Sequence, residues 1–228
     1  MKILYNSLSL AKSYPSVFIP KIISVTLGSI WILGLINAYG DLIYYALLAP
    51  FILYFNFFTS VWVAKLSENP EKSLKTNFFE ILKLKTRIFY GFLALTLFTS
   101  IISLPLLAAV LILLFTDLFI FGVSIGIIGV FLIFAAAFHL YFLPISLIKN
   151  EKINSIVKHS AKTSSKHNKE VLAIFLVSVA LLVLGSLSEG LLRELTLIGF
   201  ILGRAIEAVV STYIFLVSSR YYLNKKNS

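Results

Sequence analysis

Two opposite charges stand one helical turn apart inside a long apolar stretch near the C-terminus. The stretch is GFILGRAIEAVV, residues 199–210, and the charges are Arg204 and Glu207. Ionisable side chains in a hydrocarbon core are costly, so they mark ion, proton or substrate sites by default. A pair at positions i and i+3 also neutralises itself and can serve only to fix helix packing. Both interpretations stay open, and we prefer the neutralising pair.

Other apolar stretches contain two further polar side chains. His139 lies ten residues before Lys149, which predicts a position near the middle of a membrane. With Glu207 it would form a proton relay, because histidine titrates near neutral pH. The alternative is a hydrogen bond between helices, worth about 0.6 kcal/mol on average. Asn56 is typical of a residue that joins two helices by such a bond.

The two charges share a helix face with small residues. On a wheel of 100° per residue, Gly199 and Gly203 fall in the same arc as Arg204 and Glu207. The opposite arc holds Ile198, Leu202, Val209 and Leu216. We therefore expect the charges to face the bundle interior. The GxxxG spacing lets a neighbouring helix approach closely, and Gly122 and Gly126 repeat that spacing.

The composition excludes a soluble domain. Of 228 residues, 59% are hydrophobic and 13% are charged, against roughly 25% charged in soluble domains. Stretches long enough to cross a bilayer predict an all-α, polytopic bundle of six transmembrane helices in one membrane domain. They cover residues 17–38, 42–64, 88–116, 118–148, 171–188 and 196–219. The first is longer than a signal-peptide core, so we interpret it as a retained span.

Lysine and arginine concentrate on alternate connectors. The N-terminal segment, the connectors 65–87 and 149–170, and the C-terminal tail contain eighteen, whereas the three short connectors contain one, Arg193. Positive residues stay on the cytoplasmic side of a membrane. The pattern therefore predicts a multi-pass protein of the plasma membrane with both termini in the cytoplasm.

The positively charged segments have an amphipathic pattern. Residues 2–14, 69–86 and 151–168 repeat apolar residues at helical spacing among lysines, which is typical of helices lying in the membrane interface. In the second segment, Asn69 and Pro70 suit the start of a helix. Each segment precedes a transmembrane hairpin, so the chain is either three copies of one unit or simply a six-span protein with long basic loops.

These segments predict contact with anionic lipid headgroups. The lysines concerned are Lys158, Lys162, Lys166, Lys169, Lys75, Lys83 and Lys85. The alternative is a solvated loop whose charge only sets the topology. Nucleic acid is not expected, because the stretch 158–169 has no aromatic residue to stack on bases.

The sequence indicates no catalytic chemistry. There is no cysteine, no HExxH, GxSxG or P-loop pattern, and no cluster of carboxylates in a cytoplasmic loop. His159 and His167 lack carboxylates or thiolates around them, so no metal site is predicted. We expect a protein that is not an enzyme and uses no cofactor.

The stretch LPISLIKNEKINSIVKHSAKTSSKHNKEVLAIFL, residues 143–176, carries a family resemblance. A span ends in a proline-containing stretch, and a polar turn, an amphipathic helix with an S-x-K pattern and the next span follow. This layout resembles the uncharacterised six-span prokaryotic membrane proteins related to the membrane domain beside glycerophosphodiester phosphodiesterases. The resemblance implies the six-span fold and no settled activity, and the phosphodiesterase domain is absent.

Two functional hypotheses follow. The first is a non-enzymatic protein that binds or organises lipid, or acts as a scaffold, with a homo-oligomer or a membrane-protein partner compatible with it. The alternative is a small transporter or channel that uses Arg204, Glu207 and His139 within the bilayer.

The orientation predicts the reactivity of single cysteines, since the chain has none of its own. In intact cells, Lys75→Cys should resist a membrane-impermeant thiol reagent and Glu189→Cys should react with it. The reverse labelling pattern would overturn the predicted orientation.

Overall fold

The computed structural model describes residues 2–37, 42–149, 153–193 and 197–226, and within these ranges the chain forms helices and no strand. The α-helices are α1 (Lys2–Ser13), α2 (Ile19–Asn37), α3 (Leu42–Glu68), α4 (Leu74–Leu82), α5 (Lys85–Phe115), α6 (Phe119–His139), α7 (Leu143–Lys149), α8 (Ile153–Lys166), α9 (Asn168–Arg193) and α10 (Leu197–Lys226). A 3₁₀ turn, Pro15–Phe18, leads into α2.

Six stretches of the described chain are long and apolar enough to cross a membrane, which confirms the all-α bundle. They are Pro15–Gly34, Ala46–Glu68, Lys85–Phe115, Phe119–Lys149, Asn168–Leu192 and Ile198–Lys225. The fifth is longer than the predicted 171–188, because the helix begins at Asn168 and continues through the polar residues near its end. The predicted boundaries at 38, 151 and 196 lie outside the described residues.

Three short helices precede three hairpins. α1 leads to α2 and α3, α4 leads to α5 and α6, and α8 leads to α9 and α10, and the two helices of each hairpin pack along each other. We call the side of the bundle that carries α1, α4, α8 and the end of α10 the basic side. The element order of the predicted three-unit layout is therefore present, with α7 as an addition before the third unit.

The second of these short helices, α4, begins later than its sequence pattern predicts. Asn69 and Pro70 lie in a turn, and the N-cap of α4 is Ser73, whose hydroxyl accepts a hydrogen bond from the Thr76 amide at 3.1 Å. The side chain of Asn77 donates to the carbonyl groups of this turn, which holds the turn in place without a longer helix. The predicted segment 69–86 is thus a turn, a short helix and the start of α5.

The fourth span is broken before its end. α6 ends at His139, and after a turn α7 continues as a short helix in which Pro144 occupies the second position, where its missing N–H costs no hydrogen bond. Ser160 and Ser164 of α8 donate hydrogen bonds to the carbonyl oxygens of His139 and Phe138, at 2.7 and 3.0 Å. His139 therefore lies at the junction of α6 with α8.

Packing is densest near the basic side. The second half of α3, all of α7 and the last turns of α10 contribute most of the buried apolar residues. The Phe142 ring lies 5.7 and 5.9 Å from the rings of Tyr221 and Tyr222. By contrast, α5 and α6 pack mainly on each other and expose most of their apolar surface, which lipid tails solvate as well as protein does.

A chain of ion pairs joins the helix ends on the basic side. Glu68 at the end of α3 forms ion pairs with Lys65 and Lys149, and Glu80 of α4 forms ion pairs with Lys65 and Lys72. Hydrogen bonds from Lys72 and Lys65 hold the pKa of the Glu80 carboxyl below its ordinary value. The network connects α3 with α4 and α7.

The glycines of α6 differ in the space around them, although they share one face. A Cβ at Gly129 would lie 2.8 Å from the backbone nitrogen of Leu106 in α5, whereas one at Gly126 would lie 3.5 Å from the Ala109 Cβ. At Gly122 the nearest atoms belong to a leucine side chain, which can move. A Cβ at Gly199 would collide with the carbonyl oxygen of Leu192 in α9. The close approach of α6 to α5 therefore depends most on Gly129, and that of α10 to α9 depends on Gly199.

Gly129→Ala should lower the free energy of unfolding by about 1–3 kcal/mol, because backbone must shift to admit the methyl group. Gly126→Ala, one turn away on the same helix face, is the matched control and should change it by less than about 0.5 kcal/mol. Denaturant titration of the purified protein in detergent measures both. Equal losses for the two variants would contradict the close contact at Gly129.

Candidate functional site

A lysine lies fully inside the membrane-spanning bundle. Lys21, near the start of α2, is 2% exposed, and its Nζ donates to the Asn56 carbonyl oxygen at 3.0 Å, to Asn56 Oδ1 at 2.6 Å and to Ser60 Oγ at 2.7 Å. The nitrogen also lies 4.8 Å from the centre of the Phe215 ring. Ser24 completes the cluster by donating to Asn56 Oδ1 at 3.2 Å.

The hydrogen-bond pattern around Lys21 suits an ammonium. Both Asn56 oxygens can only accept, and the Ser60 hydroxyl lies within hydrogen-bond distance of the Asn56 carbonyl, at 2.8 Å. An ammonium has one hydrogen for each of the three oxygens around the Lys21 nitrogen. All three of these oxygens are neutral.

Sequence reasoning missed this site. The lysine was counted among the positive charges of the N-terminal segment, although it stands four residues inside the predicted span 17–38. The available signal was the polar spacing along α2, where Lys21, Ser24 and Ser29 recur in an apolar helix. Asn56, predicted to join two helices, does so with a charged partner.

Arg204 and Glu207 form the second part of the cluster. Their side chains pair at 2.5 Å, and Arg204 Nε donates to Ser29 Oγ of α2 at 2.8 Å. The Arg204 side chain is 15% exposed and that of Glu207 is 40% exposed, so the arginine lies inside and the carboxylate nearer the surface of the bundle. Glu207 is also within electrostatic reach of the Lys21 ammonium. Lysine, carboxylate and arginine thus follow one another along the seam between α2 and α10.

The helical wheel of the last span predicts the lipid-facing residues correctly in the first part of α10 and wrongly near its C-terminal end. Ile198, Leu202 and Val209 are exposed as predicted, and Gly203 is buried. Leu216, predicted on the lipid-facing arc, is instead fully buried. The reason is that α10 is surrounded near the basic side, where α1, α3 and α7 pack on it as well as its hairpin partner.

The predicted relay between His139 and Glu207 is not formed. The imidazole lies beside the Phe138 ring, and its buried Nδ1 has no hydrogen-bond partner among the described residues. His139 belongs to the junction of α6 with α8, whereas Glu207 belongs to the seam between α2 and α10. The structure therefore does not bring together the two groups that the relay requires.

Basic side chains converge on a second candidate site, on the basic side of the bundle. A cavity of about 220 Å³ lies between α8 and the end of α10. It is lined by His159, Lys162, Thr163, Lys166, His167, Tyr222 and Lys225, and we call it the basic pocket. Glu170 binds Lys225 at 3.1 Å and Tyr221 at 2.7 Å, which fixes the end of α10 against the start of α9.

The remaining predicted lipid-contact lysines lie elsewhere. Lys158 and Lys169 flank the basic pocket and are exposed, but they do not line it. Lys75, Lys83 and Lys85 are exposed on α4 and at the start of α5. Within the described ranges no three histidine or acidic side chains cluster as metal ligands would.

The chain matches no family model, no curated protein and no solved structure. The resemblance to six-span prokaryotic membrane proteins accordingly stays a prediction.

The Lys21 cluster predicts a coupled mutational response. Asn56→Leu should lower the free energy of unfolding by about 1–3 kcal/mol, because the ammonium loses an acceptor in a water-free site. Adding Lys21→Met should recover most of that loss, since the charge that needed the acceptor is gone. Thermal unfolding of the single and double variants in detergent measures this.

Thr59→Val is the matched control. It removes a buried hydroxyl that donates to the same Asn56 carbonyl at 2.9 Å but does not contact Lys21. Losses from Asn56→Leu and Lys21→Met that simply add would show that the two residues act independently and would contradict the cluster.

Proposed function

We propose that this protein binds anionic lipid headgroups in its basic pocket and thereby organises lipid at one face of the membrane, without catalysis. The observation that carries the proposal is the convergence of five basic side chains from α8, the turn after it and α10 on one cavity. A phosphate group fits the chemistry of that set, since ammonium groups donate charge-assisted hydrogen bonds to phosphate oxygens and imidazole N–H groups can also donate to them.

The two faces of α8 support a binding site over a merely solvated loop. Ser160 and Ser164 lie on its buried face and donate hydrogen bonds to the end of α6, so the rotation of the helix is fixed. Lys162 and Lys166, one turn apart, then face the cavity together with Lys225 of α10. A loop that served only to set topology would not need a second helix to bring another lysine to the same place.

The setting of the pocket suits a lipid ligand. We place the basic side in the cytoplasm and the protein in the plasma membrane, because the connectors on this side contain nearly all of the lysine and arginine. The cytoplasmic leaflet is rich in anionic lipids, and each lysine or arginine near its surface contributes about 1 kcal/mol to attraction. The transport alternative draws its support from the ionisable residues inside the bundle, which are separate from this pocket.

Removing the pocket charge should remove selective binding of anionic lipid. In detergent, phosphatidylglycerol should raise the unfolding temperature of the wild-type protein more than phosphatidylcholine does, by on the order of 5 °C near saturation. The double variant Lys162→Gln, Lys166→Gln should lose this difference, because the two ammonium groups that bind the phosphate are absent.

The double variant Lys158→Gln, Lys169→Gln is the matched control. It removes the same net charge from the same segment outside the pocket, so it should retain most of the difference. If wild-type protein responds equally to the two lipids, the protein does not select anionic lipid. If both double variants lose the response equally, net charge and not the pocket is responsible.

A further inference from the structure

We propose that the groove between α2 and α10 binds a long-chain fatty acid dissolved in the membrane, with its carboxylate at Arg204. This site is separate from the basic pocket and does not depend on the lipid-binding proposal. It lies inside the membrane-spanning part of the bundle, where only a ligand that partitions into hydrocarbon reaches it.

The groove has the shape and lining of an acyl-chain site. It encloses about 350 Å³ and runs beside successive turns of both helices. Its lining consists of Ile22, Val25, Thr26 and Ser29 of α2 and Phe200, Ile201, Arg204, Ala205 and Ala208 of α10. At its edges, Ile22 is 50% exposed and Ile201 is 59% exposed, so the groove opens toward the surrounding lipid.

The chemistry of the groove favours an acid over a neutral lipid. Its walls are apolar apart from two hydroxyl groups and one guanidinium, and a guanidinium forms charge-assisted hydrogen bonds with carboxylates. Ser29 fixes the guanidinium by accepting from its Nε at 2.8 Å. A preoriented cation at the floor of an apolar groove is complementary to an amphiphile with a carboxylate head.

Glu207 competes with a ligand carboxylate for the guanidinium. It pairs with Arg204 through Oε2, which is buried, although its side chain as a whole is 40% exposed. Glu207 also acts electrostatically on Lys21, whose three hydrogen-bond partners are all neutral. A ligand carboxylate would therefore bind by taking the place of Glu207 at the guanidinium.

The depth of Arg204 matches the orientation of a membrane lipid. Arg204 comes six residues after Ile198, where its span begins at the end of the bundle opposite the basic side. At 1.5 Å per residue, it lies about 9 Å from that end. The groove continues from there toward Ile22, next to Lys21. A fatty acid of that leaflet would therefore direct its head toward the nearer surface and its chain toward the midplane, as lipids do.

The test compares hexadecanoic acid with hexadecanol, which has the same chain without the charge. Equilibrium binding of each radiolabelled ligand is measured with the purified full-length chain in nanodiscs of neutral lipid. We expect saturable binding of the acid, with the alcohol at least about tenfold weaker, because the alcohol lacks the charge-assisted pair with Arg204. Equal affinities for the two ligands would overturn the proposal.

Two variants locate the site without touching the charges. Ala205→Phe fills the groove and should weaken binding of the acid at least about tenfold. Leu202→Phe adds the same ring to an exposed position of α10 outside the groove, and should leave binding unchanged. Unchanged binding in Ala205→Phe, or equal loss in both variants, would overturn the assignment to this groove.

Discussion

The ammonium of Lys21 is the group on which the arrangement of the bundle most depends. An ionised side chain inside a membrane is costly, and here three neutral oxygens compensate it. Those oxygens all belong to α3, and the ring beside the ammonium belongs to α10. One side chain of α2 thus contacts two other helices, and rotating α2 or α3 would separate the nitrogen from its acceptors.

Of these three helices, α10 contributes to both sites to which we assign function, and α8 supplies most of the lining of the basic pocket. The seam between α2 and α10 contains Arg204 and its groove, and the end of α10 supplies Tyr222 and Lys225 to the basic pocket. The dense core around α7 lies between these regions and gives α10 contacts on several faces. The hairpin of α5 and α6 contributes to neither site and packs mainly on itself. Function is therefore assigned to the well-packed part of the bundle.

Hydropathy is sufficient to predict six spans, because it depends only on composition along the chain. It fails where the surroundings of a residue depend on which helices are neighbours. Lys21 was missed because its acceptors lie 35 and 39 residues away in another helix. Leu216 is predicted to face lipid because a helical wheel assumes one buried face, and the break after α6 leaves no signal in the hydropathy of the span. Convergence of Lys162, Lys166 and Lys225 could not be predicted for the same reason.

Photo-crosslinking tests the central claim, lipid binding at the basic pocket, most directly. Phosphatidylglycerol with a diazirine next to its phosphate would be reconstituted with the protein, illuminated, and its adducts located by peptide mass spectrometry, with phosphatidylcholine of the same design in parallel. The account predicts adducts of the anionic lipid concentrated in 159–167 and 222–225, the segments that line the pocket. Adducts spread equally over the exposed lysines of α4 and α8, or equal labelling by both lipids, would contradict it.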